Sequence, residues 1–300
     1  MRTALACLVA IGLALASAGA CAQDEPPVEL AGTLAKVRSS GIVTLAHRES
    51  SIPFSYLSAR GEPIGYSIEL CRKLVDAMSE AVGRELAIQW LPVTSESRID
   101  AITAGRADLE CGSTTSNLER AKRVAFSPTI FVSGTKLLVK RGSAIRSFRD
   151  LRGRTVVVTA GTTNERALRD VARKFQIDMR LVAARDHADS FAQLAQGKAD
   201  AFATDDVLLY GLLAQHRVRD EYAVVGEFLS YDPYGIMYRK GDPQMRELVN
   251  ATFRALADDG EVERQYKRWF LAKLPSGERI DLPMSPQLET LIEAMAAKPE

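Results

Sequence analysis

The 300-residue chain carries 39 Lys and Arg against 38 Asp and Glu, a formal net charge of +1 with the two signs interleaved. That balance leaves no basic stripe for a phosphate backbone, so nucleic acid is excluded as a partner. Four Cys and three His, widely scattered, give no metal-ligand spacing, and neither a metal nor a cofactor is expected.

Arg2 precedes an apolar stretch from Ala4 to Ala18, then small residues and Ala20-Cys21-Ala22. Residues 1–22 read as a secretory signal peptide, and the rest of the chain is expected to be exported. No later segment reaches the roughly 18 apolar residues a spanning helix needs. Ala18-Gly19-Ala20-Cys21 partly matches a lipoprotein box but lacks its Leu, so lipid attachment at Cys21 is the lesser alternative. The remainder, about 275 residues, fits two lobes of about 100–150 residues better than one core. It keeps Cys71 and Cys111. In an oxidising compartment these can bridge, for roughly 3–4 kcal/mol in the chain-entropy model, or stay as two buried thiols.

After a Pro/Glu-rich linker (Asp24–Glu29), Leu30–Ser39 reads as a short helix and Ile42–Ala46 as a strand ending in the polar loop Arg48–Phe54. Gly65-Tyr66-Ser67 opens a helix with Ile68, Cys71, Leu74, Val75 and Met78 on one face. Leu86–Pro92 is a second strand. Thr94 and Ser95 can cap the helix that carries Arg98, Ile99 and Ile102. Then comes Ala104-Gly-Arg-Ala-Asp-Leu109, which returns 92 positions later as Gln196-Gly-Lys-Ala-Asp-Ala201. Each copy follows an amphipathic helix and leads into an apolar strand with polar endings: Ser113, Thr114 and Thr115 in one, Thr204, Asp205 and Asp206 in the other. Gly-x-Ala-Asp is also a common helix-to-strand link, but the matching ends favour two similar α/β lobes with a cleft at the strands' carboxyl ends.

Phe131–Val139 is expected to leave the first lobe as one strand and Tyr234–Tyr238 to return as another, a paired connection that permits hinge closure. Between them lie the short capped helix Ser147–Asp150, the strand Thr155–Thr159, the helix Asn164–Phe175 behind Gly161-Thr162-Thr163, and the strand Leu181–Ala184. His187 stands just before a helix over Ser190–Gln196. A long helix, Gln244–Phe270, is expected to break at Gly260 and pack on the first lobe. The Pro-bearing tail ends in a helix near Leu288–Ala297. The resulting division is 30–136 with 236–276 as one lobe, 137–235 as the other, and 277–300 as an extension.

Ser113, Thr114 and Thr115 with Arg120 form a constellation able to meet a carboxylate, since a guanidinium fork matches two carboxylate oxygens. Gly161-Thr162-Thr163 at a helix N-terminus offers free N–H groups to an anion, or simply caps the helix. Of Asp205 and Asp206, alternation along a strand turns only one to the cleft, and Asp205 is chosen to accept from a ligand ammonium.

The run Cys111-Gly-Ser-Thr-Thr-Ser-Asn-Leu-Glu-Arg120-Ala-Lys-Arg-Val-Ala-Phe126-Ser127 resembles the signature of family 3 periplasmic solute-binding proteins for amino acids. His47-Arg48-Glu-Ser-Ser-Ile-Pro-Phe54-Ser55-Tyr56, Thr94-Ser95-x-x-Arg98, Gly161-Thr162-Thr163 and Asp186-His187-x-Asp189-Ser190-Phe191 narrow the likeness to the glutamate/aspartate-binding branch of ABC importers. The resemblance implies an α/β, two-lobed Venus-flytrap fold with a two-strand hinge. It implies that Arg120, Thr115 and Thr162 hold the ligand α-carboxylate, and that Asp205 and Ser113 hold the α-ammonium. Arg48, Ser95, Arg98 and His187 would surround the side-chain carboxylate. Arg48 could instead pair with Glu49 or Glu69, Arg98 could be an exposed charge, and His187 could cap its helix. The expected function is non-enzymatic: a monomer binds L-glutamate or L-aspartate for delivery to a membrane ABC permease. The alternatives are a sensor feeding a signalling partner, or a cyclohexadienyl-type dehydratase on the same fold, for which His187 or Glu110 would be the general acid.

Overall fold

The computed structural model describes residues 29–297. The signal-peptide reading of 1–22, Cys21 and most of the linker fall outside them. Among the described residues no helix is long and apolar enough to cross a membrane.

Two five-stranded sheets, built on one plan, form the centres of two lobes. The first runs Ala87–Pro92, Ile42–His47, Leu109–Glu110, Met237–Arg239, Val124–Phe126, and the second Arg180–Ala184, Thr155–Thr159, Ala201–Asp205, Thr135–Lys140, Tyr222–Val225. In each, the first three strands are parallel and the fourth runs against both neighbours. The repeated Gly-x-Ala-Asp segment explains the likeness. Gly105 and Gly197 take left-handed φ of 70° and 71°, ending the preceding helices. The Asp then bonds the neighbouring parallel strand: Thr44 N–H donates to Asp108 Oδ2 and Thr155 N–H to Asp200 Oδ2, both at 2.8 Å.

The helix Tyr66–Val82 buries Ile68, Cys71, Leu74, Val75 and Met78, the face its spacing defines. Cys71 is bridged to Cys111, with Cα atoms 6.1 Å apart, so the bridge ties this helix to the end of the strand Leu109–Glu110.

Each crossing between the lobes is broken in two, where a single strand was expected. Phe131–Ser133 and Thr135–Lys140 are separate strands, as are Asp232–Tyr234 and Met237–Arg239. Phe131–Ser133 pairs antiparallel with Asp232–Tyr234 as a two-stranded ribbon, and each chain then switches into a different sheet. Gly134 makes one switch possible, because a Cβ there would collide with the Ser230 carbonyl and come within 2.9 Å of Phe228. Phe54, Phe131, Tyr234 and Phe270 pack around this ribbon, Phe54 lying edge-on to Phe131 at 5.0 Å and to Tyr234 at 5.1 Å. Each such buried ring contributes about 1.5–3 kcal/mol.

The long helix ends at Asp258 and resumes at Glu261 beyond Gly260, whose φ is 68°. Its first part packs on Gly32–Ser40 and Tyr66–Val82. The following tail reaches to the end of the helix Asp206–His216: Arg217 donates to the Ser276 carbonyl, and Arg219 to the carbonyls of Arg279 and Ile280. The last helix, Pro286–Ala296, packs on Pro243–Asp258.

Candidate functional site

The carboxyl ends of both sheets converge on one buried polar cluster. Arg48 follows the strand Ile42–His47 and is 1% exposed; Arg98 and His187 are each 2% exposed. Neither Nη1 nor Nη2 of Arg48 has a hydrogen-bond partner among the described residues. The carboxylates of Glu49 and Glu69 do not pair with it. Burial, then the charge of Arg98, pulls the Arg48 guanidinium down to about 10. A buried, unpaired guanidinium costs several kcal/mol and calls for an anion.

Arg98 opens the helix Arg98–Thr103 and is a buried group, not a surface charge. Its Nη1 donates to the Thr114 hydroxyl at 2.7 Å and to the Ser113 carbonyl at 3.3 Å, while its Nε has no partner. The Thr114 hydroxyl in turn donates to Glu110 Oε2 at 2.6 Å. Glu110 is fully buried, and its other oxygen is unpartnered and lies where a Cβ on Gly112 would be.

The cap expected from Thr94 and Ser95 takes a different form. Thr94 N–H donates to the Ser97 hydroxyl at 2.9 Å and Ser97 N–H to the Thr94 hydroxyl at 3.2 Å. Ser95 therefore takes no part in capping, and its hydroxyl is buried without a partner.

Arg120 spans the two lobes. Its Nη1 donates to the Thr115 carbonyl at 2.8 Å and its Nη2 to the Gly161 carbonyl at 3.4 Å. Burial, then Arg98, lowers its guanidinium to about 9. The Thr115 hydroxyl donates to Asp232 Oδ1 at 3.1 Å and lies 3.2 Å from the Thr163 hydroxyl. Ser113 is buried as well, its carbonyl accepting from Arg98. Gly161, at φ 73°, sits so close to Glu96 that a Cβ would come within 2.9 Å of its Cα. Here the lobes touch.

Thr162 is the N-cap of the helix Thr163–Phe175. Its hydroxyl accepts Glu165 N–H at 3.2 Å and donates to the Thr159 carbonyl at 2.6 Å. With the hydroxyl committed twice, Thr162 can offer an anion only its backbone.

Asp205 ends its strand buried, whereas Asp206 is already the first residue of the next helix. The two are thus distinguished by a strand-to-helix turn, not by alternation along one strand. Asp205 accepts from Asn164 Nδ2 at 2.8 Å and from the Tyr234 hydroxyl. Burial, then the Asp232 carboxylate, pushes its carboxyl well above the usual range. Its two oxygens keep lone pairs for a cationic partner. Asp206 bonds the Ser133 hydroxyl and Val207 N–H.

His187 begins the helix His187–Ala195 instead of preceding it; Asp186 is the cap, accepting Asp189 N–H at 2.9 Å. Nδ1 of His187 lies 2.9 Å from the Thr159 hydroxyl. Burial, then Arg48 and Arg98, holds the imidazole well below its ordinary pKa. The charges of Arg48 and Arg98 both reach it, so the two guanidiniums and the imidazole lie in one region. Sequence reading overlooked Glu110 as a partner of Thr114, and also Asn164, Asp232 and Tyr234. All four are polar residues on buried strands or helix starts, the only signal that could have marked them.

A model of the bacterial extracellular solute-binding proteins, family 3, matches residues 43–272. The chain is 43% identical over 273 residues to the L-glutamate/L-aspartate-binding protein of Pseudomonas aeruginosa, covering 90% of each. It is 38% identical over 296 residues to the glutamate/aspartate import solute-binding protein of Salmonella typhimurium, covering 98% of this chain and 97% of that one. Among solved structures, an ancestral arginine-binding protein bound to arginine superposes with a TM-score of 0.70 at 27% identity, covering 77% of this chain and 98% of the other.

Proposed function

The chain belongs to family 3 of the bacterial extracellular solute-binding proteins, and from that premise we propose that it captures L-glutamate or L-aspartate in the periplasm for a membrane ABC permease. It is a binding protein and not an enzyme, as its curated relatives are. It acts as a monomer, with 30–136 and 236–276 as one lobe, 137–235 as the other and 277–300 as an extension.

The observation that carries the reading is the Arg48 guanidinium, buried and unpartnered, with Arg98 and His187 acting on the same region. In this reading the ligand's side-chain carboxylate lies among Arg48, Ser95, Arg98 and His187. Arg120, Thr115 and the backbone at Thr162 take the α-carboxylate; Asp205 and Ser113 take the α-ammonium. A charge-assisted hydrogen bond contributes roughly 1.5–3 kcal/mol, so four or five offset the ligand's desolvation. Closure follows because only the closed state engages both lobes' groups at once.

A thermal-shift screen of the twenty amino acids tests this. Glutamate and aspartate should give the largest increases in Tm. A larger increase with a basic or apolar amino acid, and none with either acid, would overturn the assignment.

A further inference from the structure

The hydroxyl chain behind His187 has a fixed direction. Ser190 donates its hydroxyl hydrogen to the Asp186 carbonyl at 2.8 Å. The Thr159 hydroxyl lies 2.8 Å from the Ser190 oxygen and 2.9 Å from His187 Nδ1. With the Ser190 hydrogen committed, Thr159 must donate to Ser190, and its oxygen then accepts from Nδ1–H. The neutral ring is therefore the Nδ1–H tautomer, and Nε2 carries a lone pair. Nε2 has no partner among the described residues.

We propose that an acidic ligand is captured together with one proton, which comes from solvent and binds His187 Nε2. Thr159 and Ser190 act as positioning residues that withhold the tautomer able to bind a carboxylate without that proton. The inference rests on the assignment of His187 to the ligand's side-chain carboxylate. A bare Nε2 repels a carboxylate oxygen, whereas protonated Nε2 donates to it. A side-chain amide, which brings its own N–H, needs no proton.

The surroundings favour this exchange. The helix His187–Ala195 packs against Thr155–Thr159, Arg180–Ala184, Ala201–Asp205 and Ser50–Ser51. From beside the last comes Arg48, and from the helix Arg98–Thr103 comes Arg98; both oppose a charged ring. Asp205 is engaged by Asn164 and Tyr234. Asp186 and Asp189, on the ring's own helix, bond Arg185 Nε and Arg185 N–H. Arg180 stands at the far end of its strand. Glu110 lies nearer the two guanidiniums, and its free Oε1 bonds nothing among the described residues, the ring included. With no carboxylate bonded to the imidazole, the ligand's own carboxylate supplies the charge that holds the imidazolium while also offsetting both guanidiniums.

Calorimetric titration with L-glutamate at pH 8, in two buffers of unlike ionisation heat, counts the protons taken up. The wild type should take up close to one proton more per glutamate than His187→Gln, a difference that separates this proton from any released at Asp205. Ser190→Ala frees the Thr159 hydrogen to point at Nδ1, permits the Nε2–H tautomer, and should lose at least half of that uptake. Thr159→Ser, which keeps the hydroxyl, should retain it. Equal counts in wild type and His187→Gln, with glutamate still bound by the wild type, would overturn the inference but leave the ligand assignment standing; so would an unchanged count in Ser190→Ala. Failure of the wild type to bind glutamate at all would bring down the assignment and the inference with it.

Discussion

Glu110 Oε2 accepts the Thr114 hydroxyl at 2.6 Å, and through that hydroxyl it steadies Arg98, whose Nη1 donates to the same oxygen of Thr114 at 2.7 Å. The negative charge under the site thus reaches Arg98 by way of a neutral group. This leaves the guanidinium's Nε unspent.

Thr114→Val keeps the side chain's shape and removes the oxygen. Glu110 Oε2 then loses its donor in a fully buried setting, at a cost of about 1–3 kcal/mol of stability. Arg98 loses one of its two anchors, so glutamate affinity should fall roughly tenfold, about 1.4 kcal/mol. Urea denaturation and calorimetry measure the two effects. An unchanged midpoint would mean that the Glu110–Thr114 bond contributes nothing to the fold.

Arg48 and Arg98 should respond differently to truncation. Arg98→Ala should weaken acidic ligands by more than about 2 kcal/mol, since one charge-assisted bond is worth roughly 1.5–3 kcal/mol. Arg48→Met removes a buried cation that has no bonded partner among the described residues, and with it a desolvation penalty of several kcal/mol. The ligand-free Arg48→Met protein should therefore melt higher than wild type, while glutamate no longer raises its Tm. A lower ligand-free Tm would argue that Arg48 holds the fold together instead of serving the ligand.

What sequence made legible follows the physics of each feature. Helix faces such as Ile68–Met78 and the repeated Gly-x-Ala-Asp turns were readable because burial and chain reversal impose a period or a residue type. The broken crossings were not, because the contact that requires a glycine at the Gly134 break comes from the distant Ser230 carbonyl. At the site, hydroxyls and guanidiniums near strand ends could be named, but their division of labour could not. Thr94 looked like a helix cap beside Ser95, yet it exchanges bonds with Ser97. The direction of the Ser190–Thr159–His187 chain depends on the Asp186 carbonyl, a contact that no spacing rule encodes.

The Cys71–Cys111 bridge closes a separation of 40 residues between a helix and the strand end that leads into Ser113. The chain-entropy model gives about 4 kcal/mol for a loop of that length. At roughly 2–4 °C per kcal/mol for a protein of this size, replacing both cysteines by Ser should lower Tm by about 8–16 °C. Differential scanning calorimetry checks it, with added reductant lowering the Tm of the wild type but not that of the variant. Reductant affecting both alike would show that the bridge is not the source of the loss.

The pH dependence of the ligand-free protein should carry the mark of His187. Its folded pKa lies well below 6.5, because burial, then Arg48 and Arg98, opposes the imidazolium. The unfolded chain consequently binds more protons in that window, and stability falls as pH drops below about 6.5, by at most about 1.4 kcal/mol per pH unit. Asp205 works with the opposite sign: its raised folded pKa adds stability as pH falls through that value toward 3.8. The comparison that isolates His187 is therefore wild type against His187→Gln, by urea denaturation between pH 7.5 and 5.5. Wild type should lose stability relative to the variant as pH decreases, and saturating glutamate should reduce the difference, because its side-chain carboxylate favours the charged ring. Parallel pH profiles for the two ligand-free proteins would contradict a buried, neutral imidazole at this position.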